Sequence, residues 1–321
     1  CFHGFQTYLK SPQERRIVSL TFLYGTFPVI ISGLGQSFFN WDGPLKALGG
    51  LLIWYQRPIE SITGLTGLFN NPNYAGLWLN LVWPFCLACI IMYKKGGIGK
   101  IASLSFASGI AISTVLTNSR AAWFGLCIGI FLTFGKRIIN IIPKLFFGII
   151  FIIVTSFIPL LKKFYAWFFN IIIPNQSWID PEQNQITRID IWLSAVENII
   201  SKPLFGSGSG SFPEIFISET GIFKGHPHNL ALELLHSYGA PAAILIIIPI
   251  VTISFLSFKK IIIDSKYKIS NSIFEKAWII SLIIFLSSQM VDVQYFDGRI
   301  SIFFWILLSG SRNIIRNDEE I

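Results

Sequence analysis

Apolar stretches long enough to cross a membrane recur along almost the whole chain, and no other feature constrains its fold as strongly. A hydrocarbon core of roughly 30 Å requires about 20 residues of helix. Hydrophobic residues make up 52% of the 321 residues and charged residues only 13%, a balance that a water-soluble domain of this size cannot place on its surface. We therefore expect an all-α, polytopic bundle of transmembrane helices.

The apolar stretches predict about eight spans within a single membrane domain that covers residues 1–321. These spans lie near residues 17–36, 73–93, 101–117, 121–135, 142–161, 240–258, 273–290 and 300–315. The chain begins with Cys1, and basic residues precede the first apolar stretch. We therefore expect the bundle to lack some N-terminal helices.

The basic residues indicate how the bundle is oriented. The net charge is +8, but the lysines and arginines form short clusters between apolar stretches, which argues against a nucleic-acid partner. Sixteen of them fall on one side of the predicted membrane and nine on the other, so the richer side is predicted to be cytoplasmic. The opposite, periplasmic side then carries two long segments, Ser37–Pro72 and Lys162–Gly239. Function is expected in such long segments.

The second segment, residues 162–239, is predicted to be a large helical periplasmic loop. It opens with an aromatic stretch, Phe164–Ile173, which is typical of a helix at the membrane interface. Thr187 is a predicted N-cap for a helix over Arg188–Ile200. A short helix over Leu230–Tyr238 is predicted to end at Gly239.

Two arginines on the periplasmic side are candidate anion-binding residues. Arg120 lies in the tight turn between two short spans, where its guanidinium either reaches lipid phosphate or binds a phosphate or pyrophosphate of a ligand. Arg188 begins a predicted helix, where the helix dipole disfavours a cation. It either pairs with Asp190 or Glu182, or binds an anion together with the free N–H groups of the helix.

His228 is a candidate general base. It lies between Pro227 and Asn229 at a junction of loop and helix. An imidazole accepts a proton near neutral pH, so a histidine beside phosphate-binding arginines suits that role. A polar loop or capping residue is the alternative interpretation.

No metal or cofactor site is expected from the sequence. Cys86 and Cys89 form a C-x-x-C, but both lie in an apolar stretch, where thiols act as small hydrophobic side chains. The four histidines form no cluster with metal-ligand spacing. They are His3, His226, His228 and His236.

Two other patterns favour structural interpretations. The glycines of Gly206–Gly210 have no strand and helix around them that would suit a nucleotide loop. Asp292, Asp297 and Arg299 share the last periplasmic loop, where a solvated ion pair is favoured and contact with a substrate is the alternative.

Five motifs, taken in order, resemble the O-antigen ligase and polymerase superfamily, especially cyanobacterial members that also carry the label of inorganic-carbon or bicarbonate transporters. The resemblance spans roughly Asn70 to Gly310. The motifs are Asn70–Gly76, Ser119–Ala121, Arg188–Trp192, Pro203–Gly208, and His228–Leu230 followed by Gly239.

The resemblance implies a glycosyltransferase type C-like bundle in the bacterial inner membrane with an active site facing the periplasm. It implies transfer of a glycan from undecaprenyl pyrophosphate to a hydroxyl acceptor, either lipid A core or a growing polysaccharide, without a metal or other cofactor. Arg120 and Arg188 would bind the pyrophosphate, and His228 would help to deprotonate the acceptor. The alternatives are a polymerase and a transporter of bicarbonate or another anion. A transporter normally places ionisable residues near the bilayer midplane, and here those positions are nearly free of charge.

Overall fold

The computed structural model describes residues 1–54, 56, 58, 64–93, 97–135, 186–263 and 273–316. The span predicted at 142–161 and the interfacial helix predicted at 164–173 lie outside these residues. The chain divides into two compact units. Unit 1 comprises Cys1–Thr21 and Pro181–Ile321, and unit 2 comprises Phe22–Asp180.

The described residues are mainly helical. The helices are α1 (Phe2–Tyr8), α2 (Pro12–Gly25), α3 (Phe27–Phe39), α4 (Pro72–Met92), α5 (Ile98–Leu116), α6 (Arg120–Phe134), α7 (Arg188–Ser201), α8 (Phe212–Thr220), α9 (Leu230–Phe258), α10 (Ile273–Gln289) and α11 (Gly298–Arg316). A π-helical turn, Lys259–Ile263, continues α9. One small antiparallel hairpin, β1 (Leu45–Ala47) with β2 (Leu52–Trp54), departs from the all-helical expectation.

Four helical segments in the described ranges are long and apolar enough to cross a membrane. They are Pro12–Phe39, Pro72–Met92, Ile98–Leu116 and Leu230–Ile263. The apolar helix α6 is shorter. These helices support a multi-pass membrane protein, as expected. The number of about eight spans, the single membrane domain and the periplasmic loop at 162–239 stay predictions.

In unit 2, α4 and α6 pack at close range because two glycines leave room for their neighbours. A Cβ at Gly76 would lie 2.6 Å from the Cβ of Ala122, and one at Gly125 would lie 2.4 Å from Nδ2 of Asn80. The same Nδ2 donates a hydrogen bond of 2.8 Å to the carbonyl oxygen of Ala122. Asn80 is buried, so its amide fixes the register of α4 against α6.

In unit 1, α10 and α11 pack closely against each other. Trp278 is fully buried and donates from Nε1 to the carbonyl oxygen of Leu307 at 2.8 Å. Gly310 admits this indole, since a Cβ there would lie 2.6 Å from the ring. The rings of Phe285 and Phe304 stack with their centroids 4.4 Å apart. This packing fixes the ends of both helices and therefore the loop between them.

Candidate active site

Asn229 is the N-cap of α9, and its side chain also forms a hydrogen bond with the loop that follows α10. Its Oδ1 accepts hydrogen bonds from the backbone N–H groups of Ala231 and Leu232 at 3.0 and 3.2 Å, which is N-cap geometry. Its Nδ2 donates to the carbonyl oxygen of Met290 at 3.1 Å. His228 immediately precedes this cap, so it lies beside the loop between α10 and α11.

His228 forms a hydrogen bond with a buried carboxylate from that loop. Its Nδ1 lies 3.0 Å from Oδ1 of Asp292. An ionised carboxylate only accepts hydrogen bonds, so this contact assigns the proton to Nδ1 and leaves a lone pair on Nε2. No described residue forms a hydrogen bond with Nε2, and the His228 side chain is 28% exposed. The second ring nitrogen is therefore accessible to a ligand.

His226 supports the conformation of His228. His228 has a φ of 52°, in the left-handed region that non-glycine residues seldom adopt. Its backbone N–H donates to Nδ1 of His226 at 3.2 Å. The rings lie edge to face, with centroids 4.5 Å apart. Burial, followed by the nearby His228, lowers the pKa of His226 below its ordinary value, although Asp292 acts in the opposite direction.

The carboxylate of Asp292 is held in its charged form. Burial raises the pKa of Asp292, but the His228 hydrogen bond, the two nearby imidazoles and the backbone N–H of Val293 together bring it below its ordinary value. Nε2 of Gln294 lies 3.4 Å from Oδ2 of Asp292. The amide of Gln289 in turn donates to Oε1 of Gln294 at 3.0 Å. This buried polar network fixes the carboxylate in front of His228.

Three described side chains have the types and proximity to hold a metal ion. Single ligand atoms of His226, His228 and Asp292 lie within 4.8 Å of one another, and two imidazoles with a carboxylate suit Zn²⁺. Nδ1 of His226 already accepts the backbone N–H of His228, so the neutral ring carries its proton on Nε2. Coordination through Nε2 would require this hydrogen bond to break. The geometry therefore favours a hydrogen-bonded cluster over a metal centre.

A break in α9 lies next to the loop that follows α7. Gly239 has φ 77° and ψ 167° and interrupts the helix. The carbonyl oxygens of His236 and Ser237 there accept hydrogen bonds from the backbone N–H groups of Ser207 and Gly208 at 2.7 and 3.1 Å. The glycine-rich loop thus replaces helical hydrogen bonds that the break removes. The predicted end of a short helix at Gly239, ahead of a span over residues 240–258, is confirmed in that Gly239 is non-helical, and the helix resumes directly after it.

Two glycines allow this loop to approach α9 so closely. A Cβ at Gly206 would lie 2.6 Å from the carbonyl oxygen of His236, and a Cβ at Gly239 would lie 2.3 Å from that of Leu204. Both glycines also have positive φ angles. The Gly206–Gly210 motif therefore has a structural role in packing, in agreement with the structural interpretation of the sequence.

Arg188 lies at the first position of α7, where the sequence placed it. Thr187 is the N-cap, and its backbone N–H and hydroxyl donate to the carboxylate of Asp190 at 2.8 and 2.7 Å. The hydrogen bonds from Thr187 lower the pKa of Asp190. Asp190 is thus engaged in a capping box and does not pair with Arg188. Glu182, the other predicted partner, lies outside the described residues.

The first turns of α7 and α9 meet in one small hydrophobic cluster. Ile191 and Ala195 of α7 pack with Phe212 and Phe216 of α8, and Ile186 and Leu232 cover this core. Leu232 belongs to the first turn of α9. Arg188 is the first residue of α7 and His228 directly precedes the N-cap of α9. Both residues therefore lie at helix beginnings that share one core in unit 1.

Arg120 is the first residue of α6, in unit 2. Asn118 turns the chain with a φ of 54°, and Oγ of Ser119 accepts a hydrogen bond from the backbone N–H of Ala122 at 3.4 Å. The tight turn and its cap thus set the exposed Arg120 at a helix N-terminus. Its convergence with Arg188 and His228 stays a prediction, because they belong to a different unit.

Sequence reasoning missed the role of Asp292. Asp297 does form the expected ion pair, with its carboxylate 2.6 Å from a guanidinium nitrogen of Arg299, but Asp292 is buried and contacts His228 instead. Solvated ion pairing is therefore the wrong interpretation for Asp292. The sequence feature that could have suggested this contact was the predicted topology, which places the loop of Asp292 and His228 on the same, periplasmic side.

These features define a class: a multi-pass membrane protein with a histidine–aspartate pair at a helix N-terminus and an arginine at the start of a neighbouring helix. A family model described as O-antigen ligase matches residues 77–247, more than half of the chain. The chain belongs to this family of membrane ligases and polymerases. The matched region contains Arg120, Arg188 and His228, whereas Asp292 lies beyond it. No curated protein matches the sequence.

Proposed function

We propose that this protein transfers a glycan from undecaprenyl pyrophosphate to a hydroxyl acceptor at the periplasmic face of the bacterial inner membrane. The acceptor is either lipid A core or the end of a growing polysaccharide. Family membership supports enzymatic transfer of lipid-linked glycans in general.

One observation carries the proposal: Nδ1 of His228 lies 3.0 Å from Oδ1 of the buried Asp292. This contact leaves the lone pair of Nε2 available to accept a proton. The two side chains are arranged like the histidine and aspartate of hydrolytic triads. In those triads the carboxylate fixes the histidine tautomer and stabilises the imidazolium that forms. His228 is therefore suited to act as a general base.

The reaction balances in one displacement. Nε2 of His228 accepts the proton of the acceptor hydroxyl as its oxygen forms a bond to the anomeric carbon of the donor glycan. The bond between that carbon and the pyrophosphate oxygen breaks, and the electron pair leaves with undecaprenyl pyrophosphate. Asp292 stabilises the positive charge that His228 gains.

The two arginines would act on the leaving group. Negative charge develops on the pyrophosphate as its bond to the sugar breaks, and guanidinium groups bind phosphate oxygens through two parallel hydrogen bonds. Arg188 and Arg120 each begin a helix, α7 and α6. Helix N-termini also attract anions through their free N–H groups. Both residues are thus suited to bind the pyrophosphate.

The test is glycan transfer by the full-length protein in vesicles, with undecaprenyl-pyrophosphate-linked glycan as donor. Replacing His228 with Ala should lower transfer by about 10²–10⁴-fold, because a general base contributes that much. Arg188→Ala should lower transfer by about 10²–10³-fold, the usual effect of removing one group that stabilises developing charge. Arg299→Ala is the matched control, since Arg299 pairs locally with Asp297 and should leave transfer unchanged.

Unchanged transfer in both the His228 and the Arg188 variants would refute the proposed roles. Saturable bicarbonate uptake by vesicles without any glycan transfer would assign the protein to anion transport. Adding either lipid A core or a polysaccharide end as acceptor distinguishes a ligase from a polymerase.

A further inference from the structure

A polar cavity of about 380 Å³ lies in unit 1, where α1 meets the end of α11. Its volume falls in the range of roughly 300–1,000 Å³ that is typical of small-molecule sites. Three cationic residues line it, Lys10, Arg312 and Arg316, together with His3, Gln6 and Asn313 among others. No described residue in this lining is acidic. We call this site the basic cavity.

Hydrogen bonds between α1 and α11 hold the walls of the basic cavity together. Nδ2 of the buried Asn313 donates to the carbonyl oxygen of Gln6 at 2.8 Å. One turn earlier on α11, Oγ of Ser309 donates to the carbonyl oxygen of Phe2, also at 2.8 Å. Two side chains of α11 thus fix α1 in place, so the cavity is preorganised.

A buried ion pair fixes the chain at Lys10. The guanidinium of Arg15, which is 1% exposed, pairs with the carboxylate of Glu275. It also donates to the carbonyl oxygens of Leu9 and Lys10 at 2.7 and 3.0 Å. Arg15 is thereby satisfied within the protein, and its contacts set the backbone from which the Lys10 side chain extends.

The end of α11 is capped by a lysine from the π-helical turn that continues α9. The last carbonyl groups of a helix attract cations. Nζ of Lys260 donates to the carbonyl oxygens of Ile314 and Ile315 at 2.6 and 3.1 Å. Lys260 therefore satisfies two of the last carbonyl groups of α11.

We propose that the basic cavity binds a phosphate group, carried by an anionic lipid headgroup or by a soluble phosphate. Guanidinium groups match phosphate oxygens, and lysine adds a point charge. The cavity residues belong to the side that the distribution of lysines and arginines predicts to be cytoplasmic. Basic pockets between membrane helices on that side are suited to phospholipid headgroups. The site is independent of the proposed transfer reaction.

The test is equilibrium binding to the full-length protein in detergent, with fluorescent phosphatidylglycerol as probe, phosphatidylcholine as the zwitterionic comparison and inorganic phosphate as competitor. The double variant Lys10→Gln, Arg312→Gln should raise the dissociation constant for phosphatidylglycerol at least about tenfold, since two charge-assisted contacts are lost. Lys259→Gln is the matched control, because exposed Lys259 does not line the cavity. It should change binding less than about twofold.

A second variant separates loss of charge from loss of folding. The charge-retaining variant Lys10→Arg should bind phosphatidylglycerol within about threefold of the natural protein, because it keeps every guanidinium group and the positive charge at position 10.

Competition by inorganic phosphate would identify a soluble phosphate as the ligand, and tight binding of phosphatidylglycerol without such competition would identify the lipid. Equal affinity of the double variant and the Lys259→Gln control for both probes would overturn the proposal. Equal binding of phosphatidylcholine and phosphatidylglycerol by the natural protein would overturn it as well.

Discussion

At the scale of single residues, the charge state of the His228–Asp292 pair follows from its surroundings. Asp292 accepts hydrogen bonds from an imidazole, from the backbone N–H of Val293 and from the amide of Gln294. These donors favour the ionised carboxylate. A charged, fixed carboxylate holds the His228 proton on Nδ1, and Nε2 is thereby free to accept another proton.

Replacing Asp292 with Asn should lower glycan transfer by about 10²–10⁴-fold. The amide is nearly isosteric, but it can donate to Nδ1 and so favour the wrong tautomer of His228. The rate at saturating donor should fall more than the affinity for donor, since Asp292 acts on proton transfer. Glycan transfer by the purified full-length protein measures both quantities.

Asp297→Asn is the matched control for this variant, because Asp297 is a carboxylate of the same loop that pairs with Arg299. It should retain transfer within about threefold. Equal losses of glycan transfer in the two variants would show that Asp292 maintains the structure of the loop and has no separate role in proton transfer.

Removing metal ions with EDTA should leave the rate of glycan transfer unchanged. The hydrogen bond from the His228 backbone to Nδ1 of His226 favours a metal-free cluster, and the proposed displacement needs no Lewis acid. The transfer rate before and after treatment is the measurement. Loss of transfer that Zn²⁺ restores would instead assign His226, His228 and Asp292 to a metal centre.

At the scale of elements, hydrogen bonds join the break in α9 to the loop after α7. The break releases the carbonyl groups of His236 and Ser237, and the loop satisfies them. Arg188 is the first residue of α7, and His228 directly precedes the Asn229 cap of α9. This joint therefore connects the two helices at whose beginnings the candidate site residues lie.

Gly239→Ala should destabilise the protein by about 3–5 kcal/mol. Its φ of 77° strains any other residue, and its new Cβ would clash with the carbonyl oxygen of Leu204. Gly210→Ala is the matched control, since its φ is 74° but open space surrounds it. That variant should lose only about 1–2 kcal/mol. Denaturant unfolding in detergent compares the two, and equal losses would contradict the close approach.

The capping box of α7 should respond to acid. The pKa of Asp190 is lower in the folded protein because Thr187 donates to its carboxylate. Its contribution is therefore present at neutral pH and is lost as the pH falls through the folded-state pKa. Amide hydrogen exchange in the first turn of α7 should be faster in Asp190→Asn than in the natural protein at pH 7, with the difference vanishing in acid. A difference that persists in acid would contradict this account.

At the scale of the whole molecule, apolar runs and helix signals predict much of the fold. Helices α4, α5 and α6 cover the stretches predicted near 73–93, 101–117 and 121–135, because apolar composition and local caps are properties of neighbouring residues. Thr187 was a predicted cap for the same reason.

Contacts between distant parts of the chain were not predictable. His228 and Asp292 are 64 residues apart, and their pairing depends on how α9 packs beside the loop after α10. The hairpin of β1 and β2 was also missed, since three-residue strands are too short to show an alternating pattern.

The central proposal is that Arg120, Arg188 and His228 act on one donor linked to undecaprenyl pyrophosphate. The most direct measurement is an experimental structure of the full-length protein with an undecaprenyl pyrophosphate analogue bound in a lipid bilayer. The account predicts that the guanidinium groups of Arg120 and Arg188 both contact pyrophosphate oxygens, with Nε2 of His228 facing the anomeric carbon. A pyrophosphate bound away from His228, or an Arg120 that makes no contact with it, would contradict the account.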